Sequence, residues 1–246
     1  MKTVSMLAGV LLASSAFAGT IAADAVQPHL AAGPGGEFVC VFVKGGNVQL
    51  SRSDDAGATW TAPVTAIDAG GNAKAGRQRG PRVAVGADGL VIVTAPLCFD
   101  PVQLKEKYPR TEIWAAVSKD GGRTFGAPAR VNEVAGKAAE GLHQLGIGPD
   151  GVGHVVWLDE REGKGQQVWY AKLTDGKAGK NLRISPPVCP CCAPGLAVDG
   201  KGNPVVVWRE MSDDGSREIF LTLSKDGGKG FAAAVRVNRK DTKVPD

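Results

Sequence analysis

Polar and apolar positions alternate along this chain in a design that recurs four times. Pro28 to Gly36, Pro81 to Gly89, His143 to Gly151 and Pro194 to Gly202 each read as a short alternating strand closed by a turn of Gly, Asp, Pro or Asn. An apolar strand follows each one: Phe38 to Val43, Leu90 to Thr94, Gly153 to Trp157 and Pro204 to Trp208. A period of two places successive side chains on opposite faces, so each pair predicts an antiparallel hairpin. A third strand is predicted at Val48 to Arg52, Thr111 to Val117, Gln167 to Leu173 and Glu218 to Leu223, and a fourth follows it. With first strands starting at Pro28, Pro81, His143 and Pro194, the period is 53, 62 and 51 residues, the longest including the loop Phe99 to Pro109. The chain is therefore expected to be all-β, built from four-stranded units at about 27–68, 77–133, 138–186 and 188–238.

A second pattern marks the turn between third and fourth strands. Ser53, Asp55, Gly57, Thr59 and Trp60 match Ser118, Asp120, Gly122, Thr124 and Phe125 position for position. Ser224, Asp226, Gly228 and Phe231 repeat it, with Gly230 where Thr is expected. The Asp can accept bonds from backbone N–H groups just beyond it, the Gly can take positive φ, and the aromatic can pack beneath. In the third unit only an Asp-Gly turn, Asp175-Gly176, is kept.

This pattern closely resembles the Asp-box, or BNR repeat, of the sialidase-like β-propellers. The resemblance covers Gln27 to Asn238 and implies a propeller of four-stranded blades, in which the Asp-box links the third and fourth strands and has a structural role. Asp55, Asp120 and Asp226 are then turn carboxylates, and Trp60, Phe125 and Phe231 are expected to be buried and equivalent; truncating Trp60, if fully buried, would cost about 3 to 5 kcal/mol. The family has six blades and four are read here, so the expected forms are a four-bladed ring or an open arc of a six-bladed fold. The arc is favoured, because Arg236-Val237-Asn238 ends the fourth unit as Arg130-Val131-Asn132 ends the second.

Composition changes this picture little. The 43% hydrophobic and 22% charged residues are an ordinary soluble balance, and 34 Gly with 15 Pro suit a turn-rich chain. A net charge of +4 with no basic run interleaved with aromatics argues against a nucleic-acid surface. The N-terminus reads as an export signal over 1–18: Lys2, an apolar stretch Val4 to Leu12, and Ala16-Phe17-Ala18 before Gly19. The expected mature domain is 19–246, periplasmic or secreted, with no membrane span.

Up-and-down topology places the loops between second and third strands, and the links between blades, on the side opposite the Asp-boxes. That side collects the candidate chemistry. The family resemblance implies an arginine triad for a substrate carboxylate, a Tyr nucleophile with a Glu partner, and an Asp acid. Arg82, Tyr108, Asp159, Glu160, Arg161 and Arg209 are the positions that could supply them. The first strands lack the family's Phe/Tyr-Arg-Ile-Pro signature and Tyr170 lies in a third strand, so the set is not identified. For Asp159, Glu160 and Arg161 the simpler expectation is a solvated loop with weak ion pairs. The reading is a binding or scaffold module for a glycan or an extracytoplasmic protein, with an exo-α-sialidase-type hydrolase as the alternative and a thiolate metal protein as a second alternative.

Cys189-Pro190-Cys191-Cys192 is the most unusual stretch. Three thiols so close suit a soft ion such as Cu(I) or Zn(II), with His143 or Met211 able to complete the shell. In an exported chain they could instead be oxidised; two disulfides and one free thiol is one arrangement of the five cysteines. Cys98 is expected on the same face as the cluster and His143, while Cys40 reads as a small buried apolar residue. No cofactor is required by any other motif.

Overall fold

A computed structural model of the protein describes residues 20–211 and 215–239; the export signal expected over 1–18 lies outside the described residues. The first unit is β1 (Val26–Ala32), β2 (Phe38–Lys44), β3 (Asn47–Ser53) and β4 (Val64–Ile67). The second is β5 (Arg82–Val85), β6 (Val91–Leu97), β7 (Arg110–Ser118) and β8 (Ala129–Arg130). The third is β9 (Ala138–Ile147), β10 (Gly153–Asp159), β11 (Gln166–Thr174), a two-residue β12 (Lys177–Ala178), and β13 (Leu182–Val188). The fourth is β14 (Gly195–Val198), β15 (Pro204–Met211), β16 (Arg217–Leu223) and β17 (Val235–Arg236). Within each unit consecutive strands pair antiparallel, so the four units are the blades of a β-propeller.

The second strands of the first three blades are covered on both sides, which explains their unbroken apolar character, whereas β15 in the fourth blade alternates buried and half-buried positions. Every residue of β6 and β10 is buried, and β2 is buried from Val39 to Val43. Neighbouring blades press their sheet faces together, and each junction has its own core. Val41, Leu50, Val83 and Val93 fill the first, and Ile92, Ile113, Val155 and Trp157 the second. Leu158, Tyr170, Val206 and Trp208 fill the third. Among the described residues no fourth core joins blade four to blade one. Consistent with this, β1 alternates between exposed and half-buried positions, and its Leu30 is 55% exposed. The described residues thus form an open arc of blades.

The three Asp-type turns share one hydrogen-bond network. Ser53, Ser118 and Ser224 each donate to the Asp two residues on, at 2.8, 2.6 and 2.7 Å. Each Ser oxygen in turn accepts the N–H of the Gly four residues on, at 2.7, 2.8 and 2.8 Å. The Asp carboxylates also accept from the residue two past that Gly: Thr59 and Thr124 donate both N–H and hydroxyl, Gly230 its N–H alone. These bonds hold Asp55 at a pKa of about 2 and lower Asp120 and Asp226 as well. In blade three Asp175 and Gly176 both have positive φ, 49° and 77°, the conformation of a two-residue type I′ turn, which closes β11 on β12.

The aromatics depart from expectation, since none of the three is fully buried. Phe125 packs on the core between blades one and two, and Phe231 on that between three and four, where its ring meets Tyr170 edge-on at 4.9 Å. Each therefore leans on the preceding blade. Trp60 belongs to blade one, is outside all three cores, and donates its indole N–H to the Gly57 carbonyl at 3.2 Å.

Candidate ligand face

The ends of β6, β10, β13 and β15 and the starts of β7, β9, β11 and β16 meet on the side opposite the Asp-type turns. Here the link from blade one to blade two is stitched to the long loop of blade two. Cys98 N–H bonds the Asn72 carbonyl at 2.9 Å, Lys74 N–H the Pro96 carbonyl at 2.9 Å, and Lys74 Nζ the Leu104 and Glu106 carbonyls. Inside the loop Asp100 accepts from the Val102 and Gln103 amides and opens a 3₁₀ turn, Gln103–Lys105. Phe99 sits edge-on to Trp114 at 5.7 Å, and the Tyr108 ring is 54% exposed.

The Tyr108 ring lies 5.2 Å from the Arg79 guanidinium and 5.0 Å from Lys107 Nζ. Arg79, mostly buried, pairs with Glu140. Glu140 owes its position to a bulge in β9: Trp157 pairs with His143 and Asp159 with Ala138, so two steps on β10 face five on β9. Within the bulge Glu140 and Gly141 both take positive φ, 56° and 71°, and a Cβ at Gly141 would stand 2.4 Å from Pro96 Cβ. A non-glycine residue held in this conformation beside an ion pair marks a functional candidate. Sequence reading missed Glu140, because a bulge suspends the alternation by which strand residues are assigned to faces; the Glu-Gly step inside a strand was the available signal.

The residues proposed as catalytic occupy separate places. Arg82 bonds Gln144 Oε1 at 3.2 Å and the Gln78, Gly80 and Pro81 carbonyls, so backbone oxygens take most of its donors. Glu160 pairs with Arg110 at 3.4 Å on the rim. Asp159 and Arg161 correct the expectation of a solvated loop. The Asp159 side chain is fully buried and accepts Arg161 Nε and a terminal nitrogen at 3.0 and 2.6 Å, a bidentate fork. It also accepts the Trp157 indole N–H at 2.9 Å, while the guanidinium stacks on Trp169 at 3.9 Å. Both groups are engaged with each other and hold the blade.

His143 is fully buried at the junction of blades two and three. Its Nδ1 faces the Gly141 carbonyl and must carry the proton, leaving Nε2 to accept the Thr94 hydroxyl, each at 3.0 Å. Burial lowers its pKa to about 3. Cys98 is buried with its thiol directed to the Asp100 carbonyl at 3.5 Å, and burial raises its pKa.

At the blade three to four link, Cys189, Cys191 and Cys192 bring three sulfurs within 4.8 Å of one another, and neither His143 nor Cys98 belongs to that group. Contrary to the oxidised arrangement, all five cysteines are free thiols. Cys189 directly follows β13, its N–H bonded to the Arg209 carbonyl at 2.8 Å. Its burial raises the thiol pKa, but bonds from Cys191, Arg217 and Cys192 outweigh that and lower it. Arg209 donates to Cys192 Sγ at 3.7 Å. Alongside runs a cleft of about 490 Å³ lined by Lys137, Glu160, Pro187, Pro190 and Met211.

The fold is that of a β-propeller of antiparallel blades. Among solved structures the chain is similar to a Penicillium chrysogenum α-L-arabinanase complexed with arabinobiose, at 18% identity and TM-score 0.58, over 87% of this chain and 66% of that one. It is similar to a Fusarium graminearum GH93 α-L-arabinofuranosidase at 17% and 0.54, over 90% and 68%, and to a Hadza microbial sialidase at 17% and 0.52, over 85% and 46%. The chain thus spans about half to two thirds of the length of these neighbours. At such identities the likeness establishes the fold alone. No protein-family model matches the chain, and no curated protein aligns with it.

Proposed function

We propose that the protein is an exported glycan-binding propeller whose contact surface is the face opposite the Asp-type turns. The observation that carries this is the exposed Tyr108 ring, backed by Arg79 and set beside Glu140 on a loop stitched into the blade-one link. A flat, exposed aromatic ring offers the C–H face of a sugar an apolar platform, and the Arg79 guanidinium packed against it, itself paired with Glu140, supports that ring from behind. The neighbours named above that act on arabinan and on sialosides support the choice of a glycan. The export pattern at the N-terminus supports an extracytoplasmic place of action. Binding is favoured over hydrolysis because Asp159 is engaged with Arg161 and Arg82 with backbone carbonyls.

The test is calorimetric titration with arabino-oligosaccharides, sialyl-oligosaccharides and uronate oligosaccharides, assaying sugar release in parallel. One of these is expected to bind without turnover, and Tyr108→Ala to weaken it by about tenfold or more with the unfolding temperature unchanged. No binding across the panel overturns the glycan reading, and release of sugar abolished by Glu140→Gln overturns binding in favour of hydrolysis.

A further inference from the structure

We infer that Cys189, Cys191 and Cys192 form a three-thiolate site for Cu(I) at the link between blades three and four. The sulfurs of Cys189 and Cys191 are 3.3 Å apart, those of Cys191 and Cys192 are 3.8 Å apart, and all three lie within 4.8 Å. An ion holding each sulfur at about 2.3 Å keeps them about 3.8 to 4.0 Å from one another, in tetrahedral or trigonal geometry. One ion between them therefore reaches all three with small side-chain adjustments. A disulfide needs sulfurs at about 2.05 Å and would leave the third thiol without a partner.

The backbone is built to hold this arrangement. Cys189 is fixed directly after β13 by its bond to the Arg209 carbonyl, beside the Val188 to Glu210 pairing that joins the two blades. Pro190 and Pro194 restrict φ on either side of Cys191 and Cys192, so the run keeps few alternative shapes.

Charge decides which ion fits. Three thiolates around a monovalent ion carry a charge of −2, and positive charge stands by to offset it: the Arg209 guanidinium touches Cys192 Sγ at 3.7 Å, and Arg217 favours the Cys189 thiolate. Such outer cations stabilise thiolate ligands without competing as ligands. Among the described residues no imidazole or carboxylate joins the group. Zinc sites are ordinarily closed by four ligands or by three with an oxygen, whereas an all-sulfur, three-ligand set selects the softer Cu(I). Loading releases the three thiol protons to solvent and changes no oxidation state, so affinity rises with pH. The site is independent of the glycan reading, because Tyr108 and the cysteines belong to different loops.

The experiment titrates the reduced, metal-free protein with Cu(I) under anaerobic conditions against a chromogenic Cu(I) chelator. Expected are one ion per chain, only sulfur neighbours in the copper X-ray absorption spectrum, and protection of Cys191 and Cys192 from alkylation. Replacing both, Cys191→Ser with Cys192→Ser, is expected to weaken binding by about a hundredfold or more. Thermal unfolding of that metal-free variant should match the parent, since Cys191 is exposed and Cys192 half-buried. Tyr108→Ala should bind Cu(I) as the parent does, which separates this site from the glycan surface. Preference for Zn(II) in direct competition, nitrogen or oxygen neighbours around copper, or unchanged affinity in the double variant each overturns the assignment.

Discussion

Buried His143 makes a sharp prediction about acid stability. Its ring is fully enclosed and both nitrogens are matched, Nδ1–H to the Gly141 carbonyl and Nε2 to the Thr94 hydroxyl, so the folded protein holds it neutral, with a pKa of about 3. An unfolded histidine titrates near 6.5. Between those values the unfolded chain binds the extra proton, so the stabilisation is present in full above about pH 6.5 and is lost as pH falls toward 3. At about 1.4 kcal/mol per pH unit over the part of that window between pH 7 and 5, the loss is about 2 kcal/mol. His143→Gln keeps one donor and one acceptor but cannot titrate. Urea unfolding of both proteins at pH 7 and pH 5 isolates the effect, because His29 and His154, whose pKa values burial also lowers, are common to both. The parent is expected to lose about 2 kcal/mol more than the variant on acidification. Equal losses would refute the neutral, enclosed imidazole.

The Asp159 and Arg161 fork predicts a large stability effect from a small change. Asp159→Asn leaves the Arg161 charge buried without its carboxylate and should cost about 3 kcal/mol by chemical denaturation, while a double change of both residues to leucine costs less than either single one. At the turns, Asp120→Ala removes the acceptor of the Arg123 and Thr124 amides. Both amides are expected to exchange about tenfold faster with solvent deuterium, and equal protection would show that the carboxylate does not order the turn.

What could be read from the chain was what is local. The hairpins follow from a period of two, and the Asp-type turns from Ser, Asp and Gly at fixed offsets, because all their bonds close within a few residues. The cysteine cluster was legible for the same reason. Arg82 looked like a carboxylate clamp, yet nearby carbonyls of its own link capture it, which no spacing announces. His143 was grouped with the cysteines because both lie near the start of a first strand. Its side chain, however, enters the junction toward Thr94 on β6, a contact 49 residues away in sequence. Glu140 was missed because the bulge that aims it exists only against β10. Repeated indole to carboxylate bonds at a spacing of two, Trp114 to Glu112, Trp157 to Asp159 and Trp208 to Glu210, were present as a pattern and became meaningful only with the pleat.

The turn aromatics convert the open arc into a measurable asymmetry. Phe231 packs on the preceding blade's core and meets Tyr170 edge-on at 4.9 Å, so Phe231→Ala removes part of a core side chain together with an aromatic pair, about 2 to 3 kcal/mol for a half-buried ring. Trp60 holds the equivalent position in blade one, where no described blade precedes it and its main partner is the Gly57 carbonyl. Trp60→Ala should therefore cost only about 1 kcal/mol despite deleting the larger side chain. Volume alone predicts the opposite order, so the pair of variants discriminates between them. Denaturant midpoints with unchanged m-values give the comparison directly. A larger loss at Trp60 than at Phe231 would mean that the outer face of blade one is packed in solution, and the arc would then need a neighbour on that side.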